Sequence, residues 1–466
     1  MTRQLNELRA VSRATMRGTR EPKCYKSPMA MIVFVVWPEA GHVNPTLALA
    51  KRLRLRGHVA KFVGWDTILE RIRSEGFEAT DIFEALGLSR ALEEWRANGR
   101  DSDDFLDARR SEAADHIARW SPAVVALDPL WWRLTLALTE RRVSCVHLCT
   151  SLPDELDFEI APWTSSHVAG GRGLRAWLER RASWSRVRLE QWLKYDLGLP
   201  VATDTLDIGD AGRLLENAAW PAGWAEVRAV HKPALGVPEL ILCPQAFELP
   251  QKRARPYRYY VEAGIDPERD DQASPPDVIT ASERPLIVVS FGTRVSTYTE
   301  APRVFAAIAS AAHILREFQF IVAIGNSDVS AVRFPDNVQT LDWIPQLACL
   351  KRARVMLNHG GLNSVKECIM AGVPMCVVPF RWDQPSVAAR VEYHGIGACL
   401  TPRRLDTASL ATELRRLHAN PQYAMRVGLM RREFSQVALA EPGVQLLDGL
   451  LMDAMRRACD CHATGR

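Results

Sequence analysis

Short apolar runs alternate along the chain with segments of helical periodicity, starting near residue 29. Residues 31–36 are uninterruptedly apolar, which is typical of a strand covered on both faces of a sheet. Asn44 and Pro45 predict a helix start, as N-cap and first helical residue, and Gly57 predicts its end. Further strands are predicted at 58–63, 123–127 and 143–148. This alternation predicts an α/β domain with a parallel sheet.

A second series of strands and helices begins at Pro285. Strands are predicted at 286–290, 320–324, 354–357 and 375–379. A Gly-Gly turn follows the third of these strands, and the next helix is predicted to end at Gly372. The chain therefore contains two α/β halves of similar size. Between them, residues 250–284 are rich in proline and charged residues and short of apolar ones, which predicts a linker.

The segment 151–235 differs from both series because it is rich in tryptophan and arginine. Nine of the 14 tryptophans lie between residues 120 and 224, and residues 176–193 have helical spacing. Helix packing with amphipathic surface tryptophans is the favoured interpretation. The alternative is the wall of a pocket for a bulky apolar ligand.

Charge and composition narrow the function classes. The 466 residues carry a formal net charge of +4, and residues 1–28 hold seven basic residues against two acidic ones. The net positive charge therefore comes from residues 1–28. The rest of the chain has no surplus of basic residues, which disfavours a nucleic-acid-binding protein. We expect residues 1–28 to be a disordered extension. One alternative is that translation starts downstream, at Met29 or Met31, and another is that the segment is an arginine-rich transit peptide.

The cysteines and the apolar runs indicate the cellular compartment and whether the chain spans a membrane. Ten cysteines are scattered without a CxxC pair, which favours a reduced, cytoplasmic protein. The longest apolar runs, 29–37 and 373–380, fall short of the roughly 18–20 residues that a membrane span needs. We therefore expect no integral membrane association, and a monomer as the default state.

These patterns predict the following domain limits. Residues 29–249 form the N-terminal domain, 250–284 the linker and 285–440 the C-terminal domain. A last helix at 441–458 is expected to cross back to the N-terminal domain, followed by a tail at 459–466. Each half is large enough to bury its own core.

The first candidate site lies where the first strand gives way to a helix. His42 stands in a Gly-containing loop there, at the carboxyl edge of the sheet, where ligands of open parallel sheets bind. An imidazole in this place can act as a general base. Asp128 directly follows another strand of the same half and could orient that imidazole. The alternatives are a surface histidine and an ordinary Asp-Pro turn.

The second candidate site spans residues 343–384. Its members are Trp343, Gln346, His359, Gly361, Asn363, Ser364, Glu367, Asp383 and Gln384. The glycine pair allows close approach of a ligand to the backbone, and Asn363 or Ser364 is expected to cap a helix whose free N–H groups favour a diphosphate. A single Asp101-Ser-Asp103 string could suggest a metal clamp, but a solvated helix face explains it better. We expect no metal site.

These residues resemble the signatures of the family 1 glycosyltransferases, the UDP-glycosyltransferase superfamily, and in particular the bacterial macrolide-glycosyltransferase type. The stretch 343–384 resembles the donor-binding signature, 41–45 the acceptor-side catalytic loop, and Ser290-Phe-Gly-Thr293 the loop that opens the C-terminal domain. The likeness runs through residues 29–450 in order. One departure is Leu362, where plant members commonly carry a tryptophan, and another is a slightly shortened stretch between Gln346 and His359.

The resemblance implies a GT-B fold, in which two Rossmann-like domains face each other across a cleft. It implies that His42 is the base and Asp128 its partner. It assigns the donor-side roles as follows: Trp343 stacks on uracil with Gln346 nearby, His359, Ser364 and Thr293 hold the diphosphate, Glu367 holds the ribose, and Asp383 and Gln384 face the sugar.

The implied activity is an inverting, metal-independent transfer of a hexose, glucose by analogy, from a UDP-sugar to a hydroxyl of a bulky lipophilic natural product such as a macrolide. The UDP-sugar is a co-substrate, and no cofactor is expected. A nucleotide-sugar epimerase on the same fold, and a non-catalytic glycosyltransferase-like partner protein, are the alternatives. A nicotinamide dehydrogenase is disfavoured because no GxGxxG follows a strand.

Overall fold

The computed structural model describes most of the chain from residue 29 to residue 463. The described ranges are 29–98, 102–154, 162–163, 174–197, 199, 211–221, 225, 232–250, 255–269 and 283–463. The predicted extension 1–28 and part of the predicted linker lie outside them, as does Asp101 of the Asp-Ser-Asp string.

A seven-stranded parallel sheet forms the first half of the molecule. Its strands are β1 Met31–Val35, β2 Val59–Gly64, β3 Glu78–Asp81, β4 Val124–Leu127, β5 Cys145–Cys149, β6 Glu239–Ile241 and β7 Arg258–Tyr260. Their spatial order is β3-β2-β1-β4-β5-β6-β7, and every pair is parallel. Strands β2 and β3 are added on one side of β1, and strands β4 to β7 are added on the other. The strand order therefore switches between β1 and β4, which is where ligands of such sheets bind.

Helices connect these strands and cover the sheet. The α-helices are α1 Ala40–Leu55, α2 Ile68–Ser74, α3 Ile82–Ala85, α4 Ser89–Ala97, α5 Ser102–Ala108, α6 Arg110–Arg119, α7 Trp132–Glu140, α8 Leu174–Gln191 and α9 Ala211–Asn217. A turn of 3₁₀ helix at Pro129–Trp131 joins β4 to α7, and α8 passes into a π-helical turn at Trp192–Asp196. Helix α8 lies where helical spacing was predicted.

A six-stranded parallel sheet forms the second half. Its strands are β8 Leu286–Ser290, β9 Gln319–Ala323, β10 Val338–Leu341, β11 Ala353–Asn358, β12 Met375–Val377 and β13 Gly397–Cys399, in the order β10-β9-β8-β11-β12-β13. The helices are α10 Ala301–Ile314, α11 Gln346–Leu350, α12 Leu362–Ala371, α13 Gln384–Tyr393, α14 Thr407–Ala419, α15 Pro421–Ala440 and α16 Pro442–Ala463. Two parallel α/β halves are therefore present, as the sequence predicts.

The last helix packs against the first sheet. Val444, Leu447 and Leu451 of α16 are fully buried in the same apolar cluster as Ile32 and Phe34 of β1. At its start, the Glu262 carboxylate accepts hydrogen bonds from the backbone N–H groups of Gly443 and Val444. Helix α16 continues to Ala463, so residues 459–463 are helical and are not the tail that was predicted.

Three other details differ from the sequence prediction. Helix α1 begins at Ala40, four residues before the predicted Asn44 cap, so that Pro45 lies inside the helix. Strand β7 falls within 250–284, so this part of the predicted linker belongs to the first sheet. The short strands β3, β6, β10 and β13 were missed because three or four residues give too weak an apolar signal.

Candidate functional site

Three neighbouring strand ends of the first sheet bring together the acceptor-side groups. His42 lies in the first turn of α1, after β1, and its Nδ1 is 2.6 Å from Oδ2 of Asp128, which follows β4. Thr150, which follows β5, places its hydroxyl 2.9 Å from the same Nδ1. With Nδ1 facing a carboxylate and a hydroxyl, the neutral imidazole carries its proton on Nδ1 and leaves the Nε2 lone pair for a substrate.

Asp128 performs two tasks at once. Its Oδ1 accepts a hydrogen bond of 3.0 Å from the backbone N–H of Leu130 and so caps the 3₁₀ turn that begins at Pro129. Its Oδ2 holds His42. The two interpretations of Asp128 from sequence, a turn residue and a partner of the imidazole, therefore both describe it. The hydrogen bond from Leu130 thus orients the carboxylate that holds His42.

The charges around His42 favour its protonated form. Burial alone would lower the pKa of His42, but the charge and hydrogen bond of Asp128 raise it above the usual value, and Glu39 and Asp383 act in the same direction. Trp37 lies beside the ring, with centroids 6.4 Å apart. His42 keeps 23% of its side chain exposed while Asp128 keeps only 5%, so the imidazole is the accessible member of the pair.

On the donor side, the turn between β11 and α12 shapes the second candidate site. The buried Asn358 side chain accepts a 2.7 Å hydrogen bond from the N–H of Gly360. Gly360 has φ +82°, and a Cβ there would lie 2.8 Å from Val377, so this turn requires glycine. Helix α12 begins at Leu362, with Gly361 as an N-cap that offers no side chain. The prediction that Asn363 or Ser364 caps the helix was wrong.

His359 is packed between two glycines of that region. A Cβ on Gly361 would lie 2.4 Å from His359 Nε2, and one on Gly292 would lie 2.9 Å from Cε1. Burial lowers the pKa of His359 to about 4, against a smaller opposing effect of the Ser290 backbone. The ring is therefore neutral near pH 7 and can donate to a phosphate only through an N–H group, without a positive charge. Thr293, which follows Gly292 in the chain, is exposed.

Gln346, Ser364 and Glu367 lie together on facing helices α11 and α12. The Gln346 amide donates to Glu367 Oε2 at 2.7 Å and to Ser364 Oγ at 3.3 Å. Arg269, which sequence reasoning missed because it lies in the predicted linker, donates to Glu367 Oε1 at 2.8 Å. Glu367 is only 5% exposed, so a ribose hydroxyl would have to share this carboxylate with Arg269.

The remaining predicted donor residues differ in accessibility. Trp343 is 48% exposed and therefore has a free ring surface, whereas Gln384 is buried. The Gln384 Oε1 accepts from the N–H groups of Phe380 and Arg381, and its Nε2 donates to the Tyr298 hydroxyl at 2.9 Å. A contact between Gln384 and a sugar could use only the amide hydrogen that these bonds leave. Asp383 immediately precedes α13 and is half-buried.

The two sites face each other across the interdomain cleft. The Asn363 amide donates to the backbone carbonyl of Gly41, the residue before His42. Arg294, just after Thr293, donates to the Glu39 carboxylate at 2.7 Å. The structure thus brings the predicted base opposite the N-terminus of α12. Thr150 could have been found from the sequence by the rule that identified Asp128, because both follow a buried strand directly.

The described ranges of the chain contain no group of three or more His, Cys, Asp or Glu side chains arranged to hold a metal ion. None of the helices they contain is both long and apolar enough to cross a membrane.

Comparison with known proteins places this site in context. Residues 308–445 match the family described as Erythromycin biosynthesis protein CIII-like, C-terminal domain. The NDP-glycosyltransferase YjiC of Bacillus licheniformis is 23% identical over 427 residues, which cover 90% of this chain and 96% of that protein. The demethyllactenocin mycarosyltransferase of Streptomyces fradiae is 24% identical over 460 residues, 94% of this chain and 90% of that one.

Solved structures agree on the fold. The glycotransferase of kitacinnamycin superposes with a TM-score of 0.65 at 20% identity, over 91% of this chain and 99% of that one. This superposition confirms the predicted GT-B arrangement of two parallel-sheet domains. The comparisons cover both halves, and therefore both sides of the cleft that holds the candidate residues.

Proposed function

We propose that this chain, which is similar over most of its length to glycosyltransferases that include an antibiotic mycarosyltransferase, transfers a hexose from a UDP-sugar to a hydroxyl of a lipophilic natural product, with inversion at the anomeric carbon. Glucose is the proposed sugar, and a polyketide or macrolide-like compound the proposed acceptor. The proposed location is the cytoplasm and the proposed state is a monomer.

One observation carries the proposal. The imidazole of His42, held on Nδ1 by Asp128 at 2.6 Å, lies opposite the start of helix α12, whose Asn363 bonds the residue beside it. A base on one side of the cleft and a helix start suited to a diphosphate on the other are the two groups that an inverting, metal-independent glycosyl transfer needs. The hydroxyl to be activated and the bond to be broken would then lie between them.

The proposed step begins with the acceptor hydroxyl beside His42 Nε2. As the proton passes to Nε2, the hydroxyl oxygen forms a bond to the anomeric carbon, and the bond from that carbon to the diphosphate oxygen breaks with its electron pair. The attack comes from the face opposite the diphosphate, so an α-linked donor gives a β-glycoside. Asp128 stabilises the imidazolium that forms, and the proton then leaves to solvent.

The leaving group is proposed to depart without a metal. The N–H groups at the start of α12 have no side-chain cap, so they are available to the diphosphate, and the neutral His359 can add one N–H donor. Such fixed donors stabilise developing negative charge. The exposed face of Trp343 is proposed to stack on the pyrimidine, and Glu367 to accept hydrogen bonds from the ribose.

Calorimetric titration with UDP, dTDP and their glucose conjugates tests the donor side. UDP and dTDP share a pyrimidine ring and a diphosphate but differ in the 2′-hydroxyl and in the 5-methyl group of the base, so the comparison selects between them. We expect micromolar binding of UDP that EDTA leaves unchanged. Binding that EDTA abolishes would contradict metal independence, and absence of binding to every nucleotide would contradict the proposed donor site.

The selected donor then serves for an acceptor screen. The screen compares compounds that carry the same reactive hydroxyl but differ in apolar bulk. We expect turnover to be high for the bulky amphiphilic compounds and low for the small polar ones. The opposite ranking would contradict the acceptor proposal. Analysis of the product by NMR coupling constants at the anomeric carbon decides between inversion and retention.

A further inference from the structure

Two contacts cross the cleft beside His42 without involving the imidazole itself. Arg294 of the second domain donates to the Glu39 carboxylate at 2.7 Å, and the Asn363 amide of α12 donates to the Gly41 carbonyl. Glu39 is the N-cap residue of α1, and Gly41 lies in its first turn. Both contacts therefore bind the helical turn that carries His42.

Pro45 explains why the Gly41 carbonyl is available. In an α-helix the carbonyl of residue 41 would accept the N–H of residue 45, but a proline has no N–H. Pro45 lies inside α1, so the chain leaves this carbonyl without its helical partner. The Asn363 side chain supplies the missing donor from the other domain.

Arg294 is itself held in place by an aromatic ring. Its guanidinium lies 4.8 Å from the ring centroid of Trp382, and such a stack orients the planar group. Trp382 adopts φ +53°, which is unusual for a bulky residue and costs conformational energy. The strained residue directly precedes Asp383, so the arrangement belongs to the proposed sugar-binding loop.

We propose that Arg294 and Asn363 are positioning residues, which form a clasp with Glu39 and Gly41 and set the place of His42 relative to the bound donor. This inference rests on the proposed role of His42 as the base. The Glu39–Arg294 pair is partly exposed, at 30% and 46%, and exposed ion pairs are weak. A weak clasp can therefore open for substrates and close again during turnover.

The charge swap E39R/R294E tests the clasp. R294E alone places two carboxylates together, and we expect kcat to fall about tenfold because a small displacement of a catalytic group slows transfer strongly. The affinity for UDP-glucose should stay within about twofold, since Arg294 contacts Glu39 and Trp382 rather than the start of helix α12. The double variant restores the attraction and should recover kcat to within about twofold of the parent. N363L, which removes the amide donor, should likewise lower kcat.

Hydrogen exchange gives a readout that does not depend on turnover. The amides of His42 and Val43 both donate to the Glu39 carbonyl. In R294E these amides should exchange faster, and in the charge swap they should regain protection. The matched control is the same swap at Glu317 and Arg415, an ion pair of 2.7 Å with both members about half exposed, which should change neither kcat nor exchange in α1.

Three results would overturn the clasp: unchanged exchange in R294E, faster exchange with unchanged kcat, or a swap that restores neither quantity. Loss of UDP-glucose affinity in R294E that the swap fails to restore would assign Arg294 to the donor site instead. Failure of the proposed function is distinguishable, because full activity of H42A would remove the role of the base while leaving the exchange result untouched.

Discussion

The two sides of the cleft are built in different ways. On the donor side, Trp343, His359 and Glu367 come from one continuous stretch of strand, turn and helix. On the acceptor side, His42, Asp128 and Thr150 are separated by up to 108 positions and meet only because β1, β4 and β5 are neighbours in the sheet. The donor site is therefore a property of local sequence, and the acceptor site is a property of topology.

Among the substitutions that test this comparison, the one at His42 should have the largest effect on activity. H42A removes the group that accepts the hydroxyl proton, so kcat should fall by about 10²–10⁴-fold. Nucleotide affinity, which depends on the local donor site, should stay within about twofold. Steady-state kinetics and calorimetry on the same preparation check both statements. Normal turnover by H42A would contradict the assignment of the base while leaving the fold unaffected.

Asp128 should have the next largest effect and should also change the pH profile. Only neutral His42 accepts a proton, so activity is lost as the pH falls through the pKa of His42, which Asp128 raises. In D128N the acidic limb of kcat/KM should move to lower pH, because burial then dominates and lowers that pKa. The plateau should fall by about 10²-fold since the imidazolium loses its partner.

T139V serves as a control for this experiment. Thr139 is a buried threonine of α7 whose hydroxyl donates to the Thr135 carbonyl and interacts with the Cys145 thiol rather than with His42 or Asp128, so the acidic limb should not move. A D128N profile that coincides with the parent profile would contradict the contribution of Asp128 to the pKa of His42.

On the donor side, Glu367 should affect affinity more than the rate constant. E367Q keeps the shape of the side chain but removes the charge that Arg269 and Gln346 contact. The affinity for UDP should fall about 10-fold, the low end for hydrogen bonds to charged groups, with a smaller change in kcat. Calorimetry measures the affinity. A fall in kcat at unchanged affinity would place Glu367 outside the nucleotide site.

Trp343 should contribute less. Its exposed ring is proposed to stack on the pyrimidine, and its truncation in W343A should weaken UDP binding about fivefold, near the lower limit for base stacking on an aromatic side chain. W343F should recover most of that loss because it retains a flat ring. Inorganic diphosphate has no base, so its affinity should be equal in W343A and the parent. Equal UDP affinities would contradict the stacking contact.

The smallest effect is expected from the titration of His359. Its pKa of about 4 keeps the ring neutral across the range from pH 6 to pH 8. Measured in H42A, so that His42 does not contribute, the affinity for UDP-glucose should change less than about twofold over that range. A clear strengthening towards pH 6 would show that the ring becomes charged at the diphosphate site.

The fold was predictable because long apolar runs such as β1 and β8 are buried on both faces of parallel sheets. The candidate donor residues could be named from the sequence because all of them except Thr293 lie within residues 343–384. The partners of those residues could not. Arg269 reaches Glu367 from a segment without apolar periodicity, and Asn363 turns towards Gly41 because Pro45 leaves a carbonyl free. Such contacts depend on how the two domains meet, which no local pattern in the sequence describes.

Helix α16 has a consequence for how the molecule is assembled during synthesis. The core of the first domain includes Val444, Leu447 and Leu451 together with Leu240 and Leu242, so about two hundred residues must be translated between the two parts of one core. At the usual elongation rate this interval lasts roughly 10–40 s. Until then an apolar face of the first sheet stays uncovered and open to chaperones. The domain that is translated first is thus the one whose core is closed last.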